Sequence, residues 1–132
     1  MADSFDFELV SPERRLAAMS ARAVQIPGAE GDLTAMPQHA PMITTLRPGL
    51  LRVEGAEGEK RFVVTGGFAE IGPEGASVLA ERAMPVEDAD AAAFDALIEE
   101  ARKAAEEAPA EARDAANKLV ADLQGLRSAV GV

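Results

Sequence analysis

At residue 87 the chain changes from one hydrophobic pattern to another, and no single regular element accommodates both. Before it, short apolar runs are broken by turn residues: residues 1–86 hold four of the five phenylalanines and nine of the eleven glycines. Such punctuation belongs to β-strands. In SFDFELVSP, Phe5, Phe7 and Leu9 alternate with Asp6 and Glu8, the period of two that places one strand face in a core and the other in water; Pro12 ends the run. GLLRVEGAEGEKRFVVTGG predicts a hairpin, with Leu50 to Glu54 running in, Gly55 to Gly58 turning and Arg61 to Thr65 running back. FAEIGPEGASVLAERA repeats the plan around Gly72, Pro73 and Gly75. With no helix-length periodic segment among them, these strands predict an antiparallel β-sandwich or flattened barrel.

From residue 87 the apolar residues recur at helical spacing. Phe94, Leu97, Ile98, Ala101, Ala104, Ala105 and Ala108 form one stripe. Glu87, Asp88 and Asp90 lead it, where negative charge suits a helix N-terminus. Pro109 interrupts the pattern, and a second stripe runs through Ala112, Ala115, Ala116, Leu119, Leu123, Leu126 and Val130. The expected fold is therefore an N-terminal antiparallel β-sandwich over residues 1–86 and an amphipathic two-helix hairpin over residues 87–132. Alanine-rich stripes bury little area, so the hairpin is expected to be marginal unless docked.

Charge narrows the function. The formal net charge is −10, with 11 acidic and 5 basic side chains in residues 87–132. Phosphate backbones and anionic lipid surfaces select concentrated Lys and Arg, so nucleic acid is not an expected partner and membrane association is expected only through other proteins. The absence of cysteine excludes disulfides, thiolate metal sites and cysteine nucleophiles. The start, MADSFDFELV, is acidic where a signal peptide is basic, and no apolar run reaches the about 20 residues that span a bilayer, so a mature cytoplasmic chain is expected.

The segment EGDLTAMPQHAPMITTLRPG concentrates three prolines and the single histidine. A small metal-dependent β-sandwich enzyme would use His39 with Glu30 and Asp32, but one imidazole at this spacing is a sparse ligand set; a structural turn that presents a surface to a partner explains the same residues. No phosphate-binding P-loop is present, and TGGFAEIG lacks both the order and the following helix of a dinucleotide site. Close backbone approach at Gly66 and Gly67 accounts for those glycines.

The order of segments resembles the epsilon subunit of the bacterial F-type, proton-translocating ATP synthase, equivalent to the mitochondrial delta subunit. The matching stretches are FELVSPERRL, IPGAEGDLTAMPQHAPMITTLRPGLLRV, FVVTGGFAEIGPEGASVLAERA and the Ala-rich tail, covering essentially the whole chain. The resemblance implies a non-catalytic rotor subunit of the central stalk. Its sandwich would bind the gamma subunit and rest on the polar loops of the c-ring, at the cytoplasmic face of the bacterial inner membrane, coupling proton-driven rotation to ATP synthesis. Glu30, Gly31 and Asp32 match the loop facing the c-ring. His39, Ala40, Pro41 and Met42 match the gamma-facing segment, which Thr65, Gly66, Gly67 and Phe68 are expected to join by letting the partner backbone approach.

In the same family the helices extend along gamma to the alpha and beta subunits and restrain ATP hydrolysis, and some compact forms bind ATP through I-D-x-x-R-A. The corresponding run is IEEARK: Ile98 and Arg102 match, Glu99 replaces Asp and Lys103 replaces Ala. Arg113, Lys118 and Arg127 on the second helix are diluted by Glu111, Asp114 and Asp122. ATP is thus the one ligand the resemblance raises; no metal and no other cofactor is expected, and regulation through the tail would be weak. A free-standing adaptor of the same fold is the remaining alternative.

Overall fold

The computed structural model describes residues 4–132, so the first three residues of the expected 1–86 span lie outside the described residues. The chain divides into two compact units between Val86 and Glu87. The first contains strands β1 (Phe5–Val10), β2 (Arg15–Ala21), β3 (Ala23–Gly28), β4 (Gly31–Ala35), β5 (Met42–Thr45), β6 (Gly49–Gly55), β7 (Gly58–Ile71) and β8 (Gly75–Pro85). They hydrogen-bond in the order β2-β1-β8-β7-β6-β3-β4, with β5 added beside β7.

Strand β1 follows its alternation: Phe5, Phe7 and Leu9 are buried between outward Asp6 and Glu8. One core takes side chains from strands at opposite ends of the order, including Phe7, Ile26, Ala35, Val53, Ile71 and Val78. A flat sheet cannot bring those residues together, so the sheet folds over on itself into two layers. The Arg22 N–H closes the fold by donating to the Glu54 carbonyl at 2.7 Å, linking the end of β2 to β6.

Two details differ from the local sequence patterns. Strand β1 runs parallel to β8, while the other ladders are antiparallel. Parallel pairing needs a long crossover, and here the rest of the sandwich supplies it. Strand β7 starts at Gly58, leaving a two-residue turn of Ala56 and Glu57, and continues through Gly66 and Gly67 to Ile71. The pairing with β8 keeps one register from Phe62↔Pro85 to Ile71↔Ala76, with Gly66 omitted.

The glycines nevertheless change the strand's facing. Phe62 and Val64 point into the core before them, Ala69 and Ile71 after them. Even positions give way to odd ones because φ turns positive at Gly66 (+42°) and Gly67 (+107°). In β8, Ala76, Val78 and Ala80 face the core, but beyond them it is Ala83 that packs against it. The two long strands thus swap faces together at the corner of the sandwich.

The second unit contains α1 (Ala91–Glu107) and α2 (Arg113–Val130). Asp90 caps α1, its carboxylate accepting the Ala93 N–H at 2.9 Å. The break comes at Ala108–Pro109, where Pro109 has no N–H to continue α1, and Gly131 ends α2 in the left-handed conformation. Ile98, Ala101 and Leu123 form the contact between the helices, flanked by Leu97, Leu119 and Val120. Asp95 meets Arg127 near one end, so the helices run antiparallel. Ala104, Ala112 and Ala115, assigned to the apolar stripes by spacing, are exposed. Ala112 lies in the 3-10 turn before α2, and a methyl group gives little return on burial.

Candidate functional site

The Glu30–Asp32 segment forms the tip of the β3–β4 hairpin. Gly28 pairs with Gly31, which leaves Ala29 and Glu30 as the two turn residues, and Gly31 takes φ +139°. Glu30, Gly31 and Asp32 are all exposed. The link between β5 and β6 braces the base of this hairpin. The Ala29 N–H donates to the Thr45 carbonyl at 2.9 Å and the Arg47 N–H to the Pro27 carbonyl at 3.0 Å. Arg47 also sends its guanidinium back to the hairpin, Nε donating to the Gly28 carbonyl at 3.1 Å and Nη2 to the Asp32 carboxylate.

His39 closes a tight turn, its N–H donating to the Met36 carbonyl at 3.1 Å. Pro37 supplies the fixed φ of the first central position, and Gln38 occupies the second with φ +68°. The Gln38 N–H donates to the Pro73 carbonyl at 2.9 Å, tying this turn to the β7–β8 connection. A non-glycine residue is strained at such a φ. Gln38→Gly should therefore stabilise the chain by about 0.5 kcal/mol, because relief of strain slightly exceeds the extra entropy of the unfolded glycine. Gln38→Val should destabilise it by about 1–2 kcal/mol. Thermal melts of both variants check the sign.

Beyond this turn, β5 lies beside the second half of β7. Thr45, Phe68 and Leu79 stand in one cross-strand row, and Ile43, Glu70 and Ser77 in the next. Ile43 is 70% exposed, Phe68 43% and Leu79 42%. These side chains form an outward apolar patch beside the exposed Ala40, Pro41 and Met42. Sequence reasoning had singled out Met42 and Phe68 but missed Ile43 and Leu79. The usable signal was parity: Leu79 follows inward Val78, so a large apolar residue points to water.

Thr65 is buried and Gly66 and Gly67 are half-buried. The room left by Gly67 is taken within the molecule, since a β-carbon there would lie 2.0 Å from the Leu79 carbonyl oxygen. Gly67 thus gives its space to β8, Gly66 lies against the Glu81 side chain, and Phe68 is the exposed member of the segment.

In the helical unit Ile98 is buried in the helix contact, while Glu99 and Arg102 are exposed. These three line a cavity of about 430 Å³ with Asp95, Gln124, Arg127 and Ser128. Two carboxylates face two guanidiniums there, and Arg127 is already engaged with Asp95 and, through Nε at 3.1 Å, with the Val132 carbonyl. Little positive charge remains to offset a triphosphate. Millimolar ATP should accordingly raise Tm by less than about 3 °C, the shift expected of a ligand whose Kd is itself millimolar; a larger shift in a thermal melt would contradict this charge balance.

The metal-dependent alternative gains nothing from the geometry. Asp32 is held by Arg47, and His39 Nδ1–H donates to the neighbouring Ala40 carbonyl at 2.6 Å. Among the described residues no group of three or more His, Asp or Glu side chains is placed to hold a metal ion. Among them also, no helix is long and apolar enough to cross a membrane.

Known proteins give the comparison its scale. A family described as "ATP synthase, Delta/Epsilon chain, beta-sandwich domain" matches residues 4–86. The ATP synthase epsilon chain of Ruegeria sp. (strain TM1040) is 58% identical over 132 residues, covering 96% of each chain. That of Fuscovulum blasticum is 55% identical over 131 residues, covering 99% of each. A chain in the OSCP/F1/c-ring structure of the Euglena gracilis mitochondrial ATP synthase superposes with a TM-score of 0.74 at 22% identity, over 98% of this chain and 83% of that one, and shows the fold. Neither the metal enzyme nor the free-standing adaptor finds support in these relatives. With this architecture and this identity along nearly its whole length, the chain belongs to the delta/epsilon chain family of ATP synthase, as a non-catalytic subunit.

Proposed function

We propose that this chain works in the central stalk as a rotor subunit, joining the gamma subunit to the polar loops of the c-ring and passing proton-driven rotation toward ATP synthesis by protein contact alone. The observation that carries the reading is the apolar patch of Ile43, Phe68 and Leu79 on the outer face of the sandwich. Apolar side chains clustered in water on a rigid sheet are the composition of a protein interface core, and gamma is the partner assigned to it, together with His39–Met42. The Glu30–Asp32 tip then meets the c-ring, where a carboxylate facing basic loop side chains sets registry more than affinity.

Attachment to the bacterial inner membrane, on its cytoplasmic face, follows from these partners. The helical unit acts as a weak regulator: extended toward the alpha and beta subunits it brings few cations to their acidic surfaces. ATP hydrolysis by the complex should rise only slightly when residues 87–132 are removed. Co-purification of the full chain with gamma tests the central reading. A stable complex is expected, and its absence would overturn the assignment of the apolar patch to gamma.

A further inference from the structure

Resting on the assignment of the β3–β4 tip to the c-ring, we infer that Arg47 is the positioning residue of that tip, and that Asp32 serves as its internal anchor rather than as a carboxylate offered to a partner. One guanidinium reaches both strands of the hairpin. Its Nε holds the Gly28 carbonyl at the end of β3 and its Nη2 holds the Asp32 carboxylate at the start of β4. Gly28 and Gly31 form the last pair before the two-residue turn, so the clamp grips the hairpin at the level where the tip would otherwise hinge.

The run around Arg47 is built for this reach. Leu46 before it is buried and donates its N–H to the Gly67 carbonyl at 2.9 Å. Pro48 after it is buried. A β-carbon on Gly49 would lie 2.5 Å from that of Pro27, so glycine lets this segment close onto β3. The L-R-P-G run thereby acquires a physical account: a buried anchor, a clamp, a stiff residue and a close approach. An exposed ion pair alone contributes little, but here one planar group satisfies two acceptors on different strands, which a lysine cannot do with the same geometry.

The division of labour follows. Both carboxylates are exposed, but Asp32 is paired with Arg47, while Glu30 stands at the tip outside that pair. A basic loop meeting this turn would find its charge at Glu30, in a position set by Arg47.

Hydrogen exchange of the amides in residues 28–33 of the full chain, joined to an assay of c-ring association in the assembled synthase, tests this. Arg47→Gln and Asp32→Asn should each speed exchange in that segment roughly tenfold, the scale of losing one charge-assisted hydrogen bond. Arg47→Lys should recover part of the protection, and added salt should erode it in the unaltered chain. Glu30→Gln should leave exchange unchanged yet weaken association with the ring, and Arg47→Gln should weaken association although Glu30 remains. Asp32→Asn keeps the Gly28 bond and so remains informative if Arg47→Gln fails to fold. Unchanged exchange in Asp32→Asn would overturn the clamp. Faster exchange with ring association unaffected in every variant, Glu30→Gln included, would overturn the c-ring assignment instead.

Discussion

Replacing Gly67 with alanine should cost the sandwich about 4 kcal/mol or more, because two separate penalties coincide there. The added β-carbon would sit 2.0 Å from the Leu79 carbonyl oxygen and 3.0 Å from the Ala80 α-carbon, both backbone, so no side-chain rotation relieves the clash. The φ of +107° is also one that an L-residue resists. Against a typical total stability of about 5–15 kcal/mol the variant should melt far lower or fail to fold. Gly58→Ala is the internal control. Its φ of +123° is similar, but the space beside it is open, so only the conformational penalty of about 1–3 kcal/mol applies. Urea unfolding of the two variants separates clash from strain. Equal losses would mean that β7 and β8 can part at the corner, and that the shared swap of faces is not rigid.

The second large effect concerns binding. Phe68 and Leu79 are paired neighbours on the outer face and both remain more than 40% exposed. More than half of each side chain is nevertheless buried, so changing both to serine should lower folding stability by about 2–4 kcal/mol without unfolding the sandwich. If the patch is the core of the gamma contact, the same change should weaken that contact by about 2–4 kcal/mol, or about 30- to 1,000-fold in Kd. Titration of gamma with the unaltered chain and the double variant, alongside thermal melts, measures both quantities. Ile43→Ser should add to the loss, since Ile43 lies diagonally across from Phe68 on the same face. Unaltered affinity in the triple variant would move the contact to another surface.

What was legible in the sequence was local. Phe5, Phe7 and Leu9 announced β1 by alternation, Gly55 and Gly58 bracketed a turn, and Pro109 marked the break between helices, because each depends on neighbours within a few residues. The pairing of β1 with β8 joins segments some 70 residues apart, and no local pattern encodes it. Gly66 and Gly67 resembled the boundary between two hairpins. In the fold they let one strand continue while reversing its faces, and only the opposing β8 backbone shows why position 67 must be glycine.

The candidate site divides in the same way. The exposed tip at Glu30 follows from a glycine-rich hairpin turn, and family resemblance assigned it a role. Asp32 could not be distinguished from Glu30 by sequence, since its partner Arg47 is 15 residues away in another connection. Ile43 and Leu79 escaped because each looked like an ordinary strand residue until the register fixed which face it occupied.

The chain has no cysteine, which makes the central claim directly measurable. Single variants Glu30→Cys and Phe68→Cys, labelled with a photoreactive maleimide and assembled into the membrane-bound synthase, report what lies against each position on illumination. The account predicts that the label at position 30 captures the c subunit and the label at position 68 captures gamma. Capture of one partner from both positions, or of neither from either, would contradict a chain that bridges the ring and the shaft.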